Sequence, residues 1–119
     1  MSRKNLMMLV ALLAAAANPA AAQVKIGVLS DMNSLYADIT GKGTGVAAHM
    51  AAEDFGPVLG KPVEIVTADH QNKADVAVNI ARNWYDNEGV DMITDGGSSA
   101  VSQLVMAVAG TQDAHDRDE

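Results

Sequence analysis

Three times along this chain a short, β-branched apolar run gives way to a polar, turn-rich stretch and then to apolar residues at helical spacing. The runs are Val24-Lys25-Ile26-Gly27-Val28-Leu29, Val63-Glu64-Ile65-Val66-Thr67-Ala68 and Val90-Asp91-Met92-Ile93-Thr94. Runs this short, bounded by turn formers, read as strands. Strand, helix, strand, helix, strand, helix is the order of a parallel sheet with crossover helices. The expected fold class is therefore α/β: a three-layer parallel sheet in βαβαβα order, with the first strand central. Right-handed crossovers put all three strand-to-helix loops on one edge of the sheet. These loops are Ser30–Asp38, Asp69–Lys73 and Asp95–Ser99. Open α/β sheets bind ligands outside the carboxyl ends of their strands, which is where the loops lie.

The helices are placed by period and by breakers. Gly41, Gly43 and Gly45 read as a flexible entry to an alanine-rich helix from Val46 to Phe55, stopped by Gly56 and Pro57. Val46, Met50 and Phe55 are expected to face the sheet. Asn72 and Asp75 form a plausible capping pair for the second helix, which buries Ala77, Ile80, Ala81 and Trp84 and ends at Gly89. The third helix runs from Ala100 to Ala109, with Val101, Leu104, Val105 and Val108 on one face. Thr111 to Glu119 is polar, charged and without periodicity, the pattern of a disordered tail.

Residues 1–22 stand apart. Arg3 and Lys4 precede the apolar run Leu6–Ala17, Asn18-Pro19 breaks it, and Ala20-Ala21-Ala22 offers a small-residue cleavage site. This is the pattern of a secretory signal peptide, and the run is too short to span a bilayer comfortably. No cysteine follows the cleavage site, which excludes a lipid-anchored form. The expected organisation is a signal peptide over 1–22, one lobe over 23–110 and a tail over 111–119. All fifteen acidic residues lie after the leader, which takes two of the eight basic ones, so the exported part is more acidic than the chain's formal −7. Such a surface repels nucleic acid and anionic membranes. An anionic ligand must then be held by local dipoles and hydrogen bonds.

Asp95-Gly96-Gly97-Ser98-Ser99-Ala100 is the stretch best suited to that task. It reads as a glycine turn followed by a helix start. Ser98 or Ser99 can cap the helix, and the free N–H groups of its first turn point outward. That arrangement receives a carboxylate or another small anion, or is a serine cap and nothing more. Other chemistries lack their patterns. Gly41-Lys42-Gly43-Thr44-Gly45 comes too long after its strand for a dinucleotide loop and lacks the Walker lysine and hydroxyl. His49, His70 and His115 have no metal spacing. Asp69-His70 is an acid–histidine neighbour pair without a nucleophile elbow. Asp31 and Asp95 could reach one edge, but not as the tight pair of a phospho-acceptor. Trp84 lies on a core stripe, whereas Tyr36 sits in a loop at the ligand edge with a hydroxyl to offer. No catalytic residue, metal or cofactor is expected.

One family carries these words in combination: Val24-Lys25-Ile26-Gly27-Val28-Leu29-Ser30-Asp31-Met32, then Leu35-Tyr36-Ala37-Asp38, Ala51-Ala52-Glu53-Asp54, Ala68-Asp69-His70-Gln71-Asn72-Lys73-Ala74-Asp75 and Gly97-Ser98-Ser99-Ala100-Val101. From Val24 to about Val108 the chain resembles the start of the periplasmic solute-binding proteins of ABC transporters, in the leucine/isoleucine/valine-binding, type 1 group. The Asp-His-Gln-Asn-Lys wording resembles a branch that takes up aromatic acids and related carboxylates. The resemblance implies a periplasmic protein in which two α/β lobes close over a small carboxylate ligand and deliver it to an ABC permease. It implies ligand contacts at Tyr36 and its neighbour Leu35 in the first loop and carboxylate contacts at Ser98 and Ser99 in the third; His70, in the second loop at the same edge, is a further candidate ligand-binding residue. It also implies a further strand and loop, a hinge and a second lobe. The expectation is therefore a truncated or frameshifted N-terminal portion of such a protein. The alternatives are a secreted α/β enzyme such as a hydrolase, or a fragment that binds no ligand.

Overall fold

The computed structural model describes residues 22–117, with side chains as far as residue 113. The expected signal peptide lies outside the described residues apart from Ala22. The elements follow the expected order: β1 (Lys25–Ser30), α1 (Gly41–Phe55), β2 (Glu64–Asp69), α2 (Ala74–Asn87), β3 (Met92–Thr94) and α3 (Ser99–Arg117). The sheet is parallel in the order β2-β1-β3, so the first strand is central. Ile26 pairs with Ile65 on one side and Met92 on the other, and Ser30 pairs with Asp69 at the carboxyl end of β1.

Alternation along the strands sorts residues between two faces. On one face Leu29 joins Ala77, Ala81, Trp84, Val90, Val101, Val105 and Val108 in the main core, with Val66, Ala68 and Ile93 packed against it. This is the layer formed with α2 and α3. Gly27 is part of its fit, because any Cβ there would run into the Trp84 ring. Leu104 does not belong to this layer and is 46% exposed. The buried stripe of α3 is Val101, Val105 and Val108, and the position before Val105 falls off it.

The other face is covered by α1 alone among the described residues, and not by the residues expected. Val46 and Met50 are each 59% exposed and Phe55 77%. The helix begins at Gly41, so the supposed flexible entry is its first turn. Its stripe toward the sheet is Gly41, Gly45, Ala48 and Ala52, spaced 4, 3 and 4 apart, with both glycines buried and both alanines half-buried. A Cβ at Gly45 would sit 3.3 Å from the Thr67 methyl. Small residues let the helix axis approach the strands, and the larger side chains point away. The stripe leaves an apolar groove of about 590 Å³ between α1 and the sheet, lined among others by Ile26, Ala48, Ala51, Phe55, Ile65 and Met92.

Two further expectations are corrected. No side chain caps α2: Lys73 occupies the cap position, and Asn72 uses its backbone N–H on His70 instead of pairing with Asp75. The expected disordered tail is helical as far as Arg117. No glycine or proline follows Gly110 to stop the helix, the Thr111 hydroxyl donates to the Val108 carbonyl, and Gln112 donates to Asp86 of α2 at 2.6 Å.

Candidate binding site at the carboxyl edge of the sheet

All three strand-to-helix loops meet at the carboxyl edge, and two aspartates, Asp31 buried and Asp69 half-buried, organise the first two. Asp31 follows β1 directly and is fully buried. Its carboxylate accepts from the Ser34 N–H at 2.9 Å, the Ser34 hydroxyl at 2.6 Å and the Tyr36 N–H at 2.9 Å. Burial raises its pKa, but the Ser34 hydroxyl and the N–H groups of Tyr36, Ser34 and Asn33 outweigh it and hold the carboxyl below the ordinary 3.8. Asp69, the last residue of β2, accepts from the N–H groups of Met32 and Gln71 and from the Asn33 side chain, tying the first loop to the second. Burial and the charge of Asp31 raise its pKa, and these three hydrogen bonds bring it below the ordinary value. Both carboxylates are occupied with loop backbone. Asp69 therefore does not orient His70, and the acid–histidine neighbours do not form a catalytic pair. Among the described residues no group of His, Cys, Asp or Glu could hold a metal ion, and no helix is long and apolar enough to cross a membrane.

The third loop is held from within. Asp95 adopts a left-handed conformation, φ 64°, and one of its oxygens accepts the N–H groups of both Gly96 and Gly97. Its other oxygen is buried without a partner among the described residues. Ser98 caps α3, its hydroxyl accepting the Val101 N–H at 3.4 Å, and the helix's own ladder begins with Ser102 N–H to the Ser98 carbonyl. The N–H groups of Ser99 and Ala100 have no partner within the helix, as in any first turn. Ser98 and Ser99 of this helix start wall a shallow cavity of about 530 Å³, together with Thr40, Asp95, Gly96, Gly97, Ser102 and Gln103.

Of the residues expected in the site, Ser98 and Ser99 are walls of this cavity. Tyr36 is half-buried one step away: its carbonyl accepts the Ile39 and Thr40 N–H groups and positions Thr40, which is a wall. Leu35 lies outside the cavity, 74% exposed on the same loop. His70 is fully buried behind Gly97. Thr40, Ser102 and Gln103 went unread in the sequence. Ser102 and Gln103 lie 3 and 4 residues after Ser99, one helical turn on, and that spacing was a usable signal. Thr40 offered none, because only the folded loop brings it to α3.

Comparison with known proteins bears on what this edge does. A family model described as periplasmic binding protein matches residues 23–114. The fold is similar to that of a periplasmic binding protein from Burkholderia mallei, with a TM-score of 0.74 and 49% identity over 76% of this chain and 24% of that one. It is similar to a branched chain amino acid ABC transporter periplasmic ligand-binding protein from Burkholderia xenovorans LB400, with a TM-score of 0.64 and 49% identity over 73% of this chain and 25% of that one. It is also similar to a leucine binding protein from Thermotoga maritima, with a TM-score of 0.64 and 30% identity over 72% of this chain and 24% of that one. The chain thus spans about a quarter of the length of each. No curated protein sequence matches it.

Proposed function

This chain belongs to the periplasmic binding protein family, and from that premise we propose that it is the ligand-capturing component of an ABC importer, represented by part of its first lobe. The ligand class is an amino acid of the branched-chain type, or a related aromatic or aliphatic carboxylate. The observation that carries this reading is the serine-capped start of α3, which walls the cavity at the carboxyl edge. Ser98 and Ser99 hold the carboxylate, Tyr36 and Leu35 meet the body of the ligand, and His70 supports the site from behind. The protein binds and releases without chemistry, acts in the periplasm after export by the leader, and hands its ligand to a permease.

The cavity is one wall of a site. Small-molecule sites bury ~70–90% of their ligand, and a shallow cavity does not. Hydrogen bonds to a charged group contribute about 1.5–3 kcal/mol each. Association costs at least ~4 kcal/mol. The balance for this chain alone is no more favourable than about −4.1 kcal/mol, a Kd of about 1 mM or weaker. Calorimetry with leucine, phenylalanine and benzoate tests it. A weak response that disappears in the Ser98→Ala/Ser99→Ala double variant is expected. An undiminished response in that variant would move the site away from α3.

A further inference from the structure

His70 is more than a filler of the second loop. Its imidazole is fully buried, although it immediately follows an outer strand. Its backbone N–H donates to the Ser30 carbonyl at the end of β1. Nδ1 of the ring accepts the Asn72 N–H at 3.0 Å, so the ring carries its proton at Nε2. That Nε2 has no partner among the described residues. A buried donor left unmade costs about 1–3 kcal/mol, and such groups are rare in native interiors. If the position required only volume, an apolar ring would fill it without that cost.

The surroundings say what the donor faces. β2 and β3 lie on opposite sides of β1, yet the ring reaches the loop after β3: a Cβ at Gly97 would lie 3.3 Å from Nε2 and 3.6 Å from Thr40 Oγ1. Gly97 has φ 64° and no side chain, and it forms part of the cavity wall together with Thr40. The bare Cα lets the ring's donor lie close against this part of the wall. The Thr40 hydroxyl is a second available donor. Its contact with the Tyr36 carbonyl is long, 3.3 Å, and that carbonyl already accepts two backbone N–H groups. Its proton can turn toward an anion without leaving Tyr36 unsatisfied.

We propose that His70 Nε2–H and the Thr40 hydroxyl form a concealed donor pair beside Gly97 that takes a carboxylate oxygen of the ligand, directly or through one water, and so selects carboxylates over the corresponding amides. This rests on the site proposed at the start of α3 and adds a second set of donors to it.

Nitrogen NMR on the ¹⁵N-labelled chain tests the inference, using long-range correlations that report the histidine ring nitrogens. Benzoate and leucine are titrated to millimolar excess, with benzamide and leucinamide as uncharged counterparts. The expected result is that the acids shift both the Ser99 and Ala100 amides and the His70 Nε2 signal, while the amides shift neither. His70→Phe should weaken benzoate by about tenfold or more, as for one lost hydrogen bond to a charged group. His70→Gln, which keeps a donor near the Nε2 position, should restore most of that loss. Movement of the α3 amides without movement of Nε2, or equal binding by His70→Phe, would overturn the inference and leave the proposed function intact. Absence of any shift with any probe would overturn both. Should His70→Phe fail to fold, the wild-type Nε2 signal decides alone.

Discussion

Neither oxygen of Asp31 is free: the Ser34 and Tyr36 N–H groups and the Ser34 hydroxyl take both. Asp69 is engaged in the same way with Met32, Asn33 and Gln71. Both carboxyls titrate below 3.8 in the folded chain, so the unfolded chain binds their protons more readily. Their contribution to stability is complete above that value and is lost as pH falls below it toward the depressed folded values. Thermal unfolding followed from neutral pH down through this region should show the midpoint dropping. Asp31→Asn should be less stable at neutral pH, because one amide oxygen cannot serve three donors, and should have a shallower acid limb. A second residue prediction concerns Gly27, where the Trp84 ring occupies the space of a Cβ. Gly27→Ala should cost about 1–3 kcal/mol in denaturant unfolding, the usual range for an overpacked core.

Among the elements, the strands were legible because β-branched runs between turn formers have few other uses, and their order dictates a parallel sheet with Lys25–Ser30 in the middle. The docking face of α1 was not, because the reading ranked hydrophobicity above size. Val46, Met50 and Phe55 looked like core, while Gly41, Gly45, Ala48 and Ala52 did the packing. The length of α3 was missed for a related reason: low apolar content after Gly110 was read as disorder although nothing there forbids a helix. In the site, the Ser98 cap could be read locally, since the cap and the N–H it accepts lie three residues apart. The burial of His70 could not, since it depends on loops from strands on opposite sides of β1. Two substitutions check the assignment of α3. Ser98→Ala should lower stability by about 0.5–2 kcal/mol through loss of the cap. Gly110→Ala should raise it by roughly 0.5–1 kcal/mol, because the helical position is exposed and nothing lies within 4 Å of the added methyl.

At the scale of the whole molecule the two faces of the sheet are unequal. One carries the closed core under α2 and α3, and the other carries α1 above an apolar groove with Met92 half exposed at its edge. An open apolar face of this kind takes up apolar dyes in the native state. Anilinonaphthalene sulfonate fluorescence should rise with the folded chain, and Ala51→Lys, which puts a charge on the groove wall, should reduce it without shifting the melting temperature much. The central place of β1 also sets a timetable. Lys25 donates to Asp91, the Glu64 N–H to the Val24 carbonyl, and Leu29 is closed over by Val101 to Val108. Contacts between such distant parts of a chain form late. On the ribosome, at ~5–20 residues per second, the strand made first waits on the order of ten seconds for the last segment that completes its surroundings. Throughout that interval the nascent chain has no finished core and stays thread-like, the condition in which a polypeptide passes most readily through a narrow pore.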